Sequence, residues 1–227
     1  MNRKLTASLL VLAAVLANVA FTALGSIFNY PDVLDDPAGK ILASFREDQT
    51  AISGWFVVLA VSAGLLAPIA IGVGRLSTSR AMRIATRVGI AAAAAQVIGL
   101  LRWPLLVPGF ASDGNQDGFT TAHHVLGVAI GETLGYLLTG AWTVLVVVAL
   151  GRRYAGRWFQ VLGLVSAGLI LVGVLGPLDL AGVDSANFIG YVLWSLWLIA
   201  FAAVILVHER RSSKSTSPAQ AHEAVTS

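Results

Sequence analysis

The chain has 227 residues, of which 56% are hydrophobic and only 12% charged, whereas a soluble domain carries about 25% charged residues. That balance excludes an ordinary soluble globular protein and points to a membrane. The formal net charge is +3, but the basic residues fall in short clusters between apolar runs, where membrane orientation accounts for them, so nucleic acid is not an expected partner. Cysteine is absent, which removes disulfides, thiolate nucleophiles and Cys-ligated metal or iron–sulfur sites.

The first apolar run, 5–28, follows Arg3 and Lys4. It is too long for the core of a cleaved signal peptide and reads as a retained helix with a cytoplasmic N-terminus. Next comes an acidic stretch with Asp32, Asp35, Asp36, Glu47 and Asp48 against Lys40 and Arg46. Within it Pro37 can open a short helix whose Ile41, Leu42 and Phe45 share a face, expected to lie on the outer membrane surface. The second run, 51–74, contains Pro68, which removes a helical hydrogen bond and predicts a kink. Arg75, Arg80, Arg83 and Arg87 follow with no acid among them, the strongest cytoplasmic signal in the chain.

The third run, 88–107, opens on small residues, holds Gln96 and Arg102, and ends on Pro104 and Pro108. Asp113 and Asp117 place the next loop outside. The fourth run, 123–150, returns to Arg152, Arg153 and Arg157. The fifth, 158–176, leads out to Asp179 and Asp184, and the sixth, 188–207, returns to Arg210, Arg211 and Lys214. Residues 212–227 are rich in Ser, Thr, Ala and Pro and read as a disordered cytoplasmic tail. The expected architecture is therefore all-α: one six-transmembrane-helix bundle over 1–211, both termini cytoplasmic, in the cell's inner membrane. Twelve of the 15 Lys and Arg residues then lie inside, leaving Lys40, Arg46 and Arg102. No repeat relates the two halves, which argues against a transporter built from inverted repeats.

Glu132 is the one carboxylate set inside an apolar run. An intramembrane acid costs about 2.5 kcal/mol or more facing lipid, so it should face other helices or water. Arg102 lies about 21 Å along its helix from the cytoplasmic boundary, and Glu132 at a similar height on the next helix. Two readings stay open: a buried ion pair that fixes the two helices together, or a polar pocket, open outward, that handles a ligand or proton. At about 100° per residue, His124 points some 80° from Glu132 and His123 nearly opposite, so only His124 is expected in the site. Adjacent histidines cannot ligate opposite faces of one haem and no further His lies at helical metal spacing, so neither a metal site nor a cofactor is expected. Gly127, Gly131 and Gly135 recur every four residues beside Glu132, a pattern of close helix packing that could instead admit a ligand. Tyr136 follows one turn on. Asn18 and Gln96 are expected to bond between helices. Trp55, Trp103 and Trp158 fit an interfacial belt, while Trp194 and Trp197 should pack in the interior. Asp35, Asp36, Asp179 and Asp184 read as solvated loop acids.

Three stretches together, FNYPDVLDDPAGKILASF at 28–45, IGLLRWPLLVP at 98–108 and GVAIGETLGYLLTGAWT at 127–143, resemble the DUF4386 family of polytopic bacterial membrane proteins. The resemblance implies a multi-helix membrane protein and brings no activity with it. It implies that Tyr30, Pro31, Arg102, Trp103, Pro104, Gly131, Glu132 and Gly135 match recurring pattern positions, without roles.

The functional expectation is binding of a small or amphiphilic ligand, as a sensor or accessory protein, by Arg102, Glu132, His124, Tyr136 and Gln96. Arginine would hold an anionic group while Glu132 receives a donor. The rival is a membrane-embedded enzyme on a lipid-like or isoprenoid substrate, with Glu132 as acid or base and His124 or an outer aspartate as its partner. Proton-coupled transport ranks third. Membrane lipids are the other expected partners, and the oligomeric state is left open.

Overall fold

Helix starts follow the caps that the sequence supplies. In the computed structural model, which describes residues 2–178 and 180–215, the Asn2 side chain accepts from the Lys4 N–H at 3.1 Å and opens α1 (Arg3–Phe28). Ser79 accepts from the Met82 N–H at 3.2 Å and opens α5 (Arg80–Leu105). Such caps satisfy N–H groups that the helix cannot pair itself and contribute about 1 kcal/mol each. Between α1 and α5 lie α2 (Ala38–Glu47), α3 (Gln49–Gly64) and α4 (Leu66–Gly74). Pro68 has no N–H to donate to the Gly64 carbonyl, and the second span breaks there, between α3 and α4. Beyond Pro104 the chain turns at Leu106 into α6 (Val107–Asp113), and Asn115 caps α7 (Gln116–Ala122). A π-helical segment, His123–Leu134, joins α7 to α8 (Gly135–Leu150). The last two helices are α9 (Arg152–Val172) and α10 (Val183–Ser215).

Six helical stretches are long and apolar enough to cross a membrane: Arg3–Phe28, Gln49–Gly74, Arg80–Asp113, Gln116–Leu150, Tyr154–Leu178 and Val183–Arg211. All six expected runs fall within them, each extended at one or both ends or matched. Each span packs on its neighbour in sequence, and α1 packs on α10, closing the ring. Residues 212–215, expected in the tail, continue α10; 216–227 lie outside the described residues, as does Asp179. One end of the bundle carries the acidic connections (29–48, 113–117), the other the basic ones (75–87, 151–157). Val11, Val15 and Val19, one turn apart on α1, are exposed, as befits a face turned to lipid rather than water.

The interior holds two apolar cores. At the basic end, Trp142, Phe159, Trp197 and Phe201 pack with Leu10, Ile69 and Val73. At the acidic end, Phe28, Phe45, Phe56, Trp103 and Phe119 form an aromatic cluster. Trp103 is its hub, fully buried and stacked on Phe56 with ring centroids 4.7 Å apart. The interfacial position expected for Trp103 is thus wrong: the bend after Pro104 and the short helices that follow it fold over the indole and bury it. Trp158 is 52% exposed, and Trp197 is buried as expected.

The amphipathic α2 also departs from expectation. Ile41, Leu42 and Phe45 do share a face, but that face enters the aromatic core, and α2 rests on α6 and α7. Arg46 donates to the Ala111 carbonyl at 3.1 Å and ties α2 down. The bundle's own apolar end offers a closer partner than the membrane surface. Asn18 does not bridge helices; its amide donates to the Ala14 carbonyl of its own helix at 2.7 Å.

Candidate functional site

Between the two cores lies a polar layer. On α5, Gln96 and Arg102 separate Ala93 of one core from Trp103 of the other. On the fourth span, His123, Glu132, Tyr136 and Thr139 do the same between Phe119 and Trp142.

Gln96 forms the interhelical bonds expected of it. Its amide donates to Thr139 Oγ1 at 2.6 Å and to the Tyr191 hydroxyl at 3.3 Å, joining three spans. Tyr136 packs edge-on against Tyr191, centroids 5.6 Å apart. Thr143 receives the Trp194 indole N–H at 2.8 Å.

Two turns along α5, Arg102 is only 4% exposed. Its guanidinium lies against Gly127, where a Cβ would come within 2.7 Å of Cζ, and 5.3 Å from the Trp103 ring centroid. Of five N–H donors, Nη1 reaches the Gly99 carbonyl and Nη2 reaches His123 Nδ1 at 3.3 Å. Arginine can only donate, so Nδ1 accepts and the ring carries its proton on Nε2. Arg102 Nε is buried with no partner.

No ion pair joins Arg102 to Glu132 among the described residues. The direct pair is therefore not formed. Glu132 is half-buried and has no hydrogen-bond partner among the described residues, yet Arg102, Tyr136 and Tyr30 all lie within its electrostatic reach.

The histidine assignment is reversed. His123 stacks on Phe119 at 5.9 Å and bonds Arg102, while His124 is exposed. The cause is the backbone. Hydrogen bonds running i→i+5 widen the turn to about 80° per residue, so nine residues return His123 to the side of Glu132 instead of opposing it. Glycines permit this widening. A Cβ on Gly99 would come 2.5 Å from Gly131 Cα and 3.0 Å from the Leu126 carbonyl oxygen, inside the wide turn. Gly131 thus packs on Gly99 and Gly135 on Gln96, while Gly127 makes room for the guanidinium.

Tyr30 enters from the first acidic connection. Asn29, with φ 50°, ends α1 in the left-handed conformation that Asn tolerates. The chain then turns Tyr30 back onto Phe21 and Phe56, with centroids at 5.7 and 5.2 Å. Burial, reinforced by the Glu132 charge, pushes its phenol up to about 12, so it remains a neutral donor at ordinary pH. Asp184 is exposed on the first turn of α10, within electrostatic reach of Glu132. Asn187 is buried and donates to the Ile170 carbonyl at 3.0 Å. Asp36 pairs with Lys40 at 2.9 Å.

Sequence reasoning thus missed His123, Tyr30, Tyr191 and Thr139. His123 was lost because an α-helical phase was applied to a π-helical stretch. Tyr191, two spans beyond Glu132 in sequence, gave no local signal, and Thr139, on Glu132's own span, did not stand out from the apolar run.

No curated protein and no solved structure matches this chain. A family model described as "Domain of unknown function (DUF4386)" does match, over residues 5–202, a stretch that contains every group of the polar layer. The chain belongs to the DUF4386 family.

Proposed function

We propose that the polar layer binds a small or amphiphilic ligand with an anionic group, and that the protein works as a sensor or accessory protein of the membrane. One observation carries this reading: Arg102 is buried and, among the described residues, lacks a carboxylate partner and leaves Nε unpaired. Burying a guanidinium costs several kcal/mol unless a counter-charge and hydrogen bonds compensate. An anionic group beside Arg102 would supply both, and Tyr30 is placed to donate to the same group. Glu132, without a bonding partner, is suited to receive a donor from the ligand's neutral part. His124, at the exposed rim, and Gln96, committed to Thr139 and Tyr191, contribute less directly than sequence reasoning gave them. The loop charges support an orientation in a bacterial inner membrane with both termini cytoplasmic and the acidic connections outside.

Native mass spectrometry with small-molecule extraction, on the full chain in mild detergent, tests this. An anionic molecule should co-purify with wild type and be lost from Arg102→Gln while the variant stays folded. Wild type carrying bulk phospholipid alone would overturn the reading. A molecule that wild type converts and Glu132→Gln binds unchanged would replace it with the enzymatic one.

A further inference from the structure

At the basic end a second site lies on the outside of the bundle. Gly156, with φ 84°, interrupts α9 and offsets its first turn from the rest of the helix. Tyr154, on that turn, stacks on His208 of α10 with centroids 4.6 Å apart and planes 6° from parallel. The offset opens a groove of about 530 Å³ between α9 and α10, within the size range of small-ligand sites. Its floor is Ala200, Ala203, Val204 and Val207, one face of α10 at helical spacing, and its rim carries the exposed Trp158. Arg211, one turn beyond Val207 on the same face, closes its end.

We propose that this groove binds one anionic phospholipid, an acyl chain along the alanine and valine floor and the phosphate at Arg211. Charge and shape both favour that occupant. Arg211 is exposed and has no ion pair among the described residues. Arg152 and Arg157 are exposed on the neighbouring helix, and Glu209 is the one acid among the described residues at this end. Small side chains along the floor leave room for a methylene chain. Trp158, exposed beside Arg157 near the start of its span, is a residue type suited to the headgroup level. A basic recess between spans at one membrane face is suited to an anionic headgroup.

The test uses the full chain in nanodiscs of phosphatidylcholine with one part in five phosphatidylglycerol, read by native mass spectrometry of retained lipid. Wild type should retain one phosphatidylglycerol with a preference of about fivefold or more, the contribution of one basic residue at a membrane surface. Arg211→Gln should bring the preference near unity, and Arg211→Lys should keep most of it. Ala203→Leu, which fills the floor, should lower retention of both lipids. Arg102→Gln should leave retention unchanged, so this site stands or falls apart from the polar layer. Equal retention of the two lipids by wild type, an undiminished preference in Arg211→Gln, or full retention in Ala203→Leu would each overturn the proposal.

Discussion

Two polar groups inside one apolar helix, Gln96 half-buried and Arg102 buried, meet opposite treatment. Gln96 finds acceptors on two other spans, at 2.6 and 3.3 Å, and welds the bundle at its middle. Arg102 finds a carbonyl of its own helix and one imidazole, and leaves Nε without a partner. A bundle that can satisfy a glutamine across three helices has the means to place an acid against an arginine. Glu132, half-buried on the facing span, is near enough to act on Arg102 electrostatically yet does not close on it. The difference separates a group bonded across three helices from one whose bonds among the described residues stay incomplete.

The largest effect expected is a contrast in sign. Gln96→Leu removes the donor shared by the Thr139 and Tyr191 oxygens, and should cost about 1–3 kcal/mol. Arg102→Met removes a desolvated charge with incomplete partners, and should leave stability unchanged or raise it by about 1 kcal/mol or more, while abolishing ligand retention. Thermal unfolding of both variants in one detergent measures the contrast. A loss at Arg102→Met as large as that at Gln96→Leu would make the arginine a structural group like the glutamine.

A smaller effect should appear at alkaline pH. The folded Tyr30 phenol titrates at about 12, against 10 for a free tyrosine. The folded state therefore holds a proton that the unfolded chain has released, and stability falls as pH rises between those two values. The loss should approach about 2 kcal/mol. Tyr30→Phe should show a shallower decline over that range in chemical unfolding, and should remove one high-pH phenol from the ultraviolet difference titration. Identical slopes for wild type and Tyr30→Phe would mean that Tyr30 is in contact with water and does not border the arginine's environment.

The architecture was legible because its signals are local. Runs of apolar residues and the Pro68 break act within a few residues of where they stand, and each produced the element expected of it. The site was only partly legible. Gln96, Arg102, Glu132 and Tyr136 stand out as polar groups in apolar runs, and all four do lie in one layer. What they touch depends on the spans across the ring, so Tyr191 and Tyr30 could not be found from neighbours in the chain. Trp103 misled because an indole near an apolar run's end has the same composition whether the chain beyond it opens to the interface or folds back. The aromatic core exists because α2, α6 and α7 fold back.

The smallest effect separates two adjacent histidines and tests the backbone that distinguishes them. If 123–134 is π-helical in the membrane, His123 faces Arg102 and His124 faces outward. His123→Phe keeps the stack on Phe119, 5.9 Å away, but takes the acceptor from Nη2, and should cost about 1 kcal/mol. It should also weaken retention of an anionic ligand, because the guanidinium loses the contact that orients it. His124→Phe should change stability by no more than about 0.5 kcal/mol, as for other exposed positions. An α-helical segment would turn His123 to the side opposite Glu132, since nine residues at about 100° make two and a half turns, and would leave the two variants alike. The difference between these two variants therefore reads the local helical pitch. Gly99→Ala supplies the matching steric test, because a methyl there would come 2.5 Å from Gly131 Cα and press on the widened turn; if that turn positions His123, Gly99→Ala should remove most of the difference between the two histidine variants.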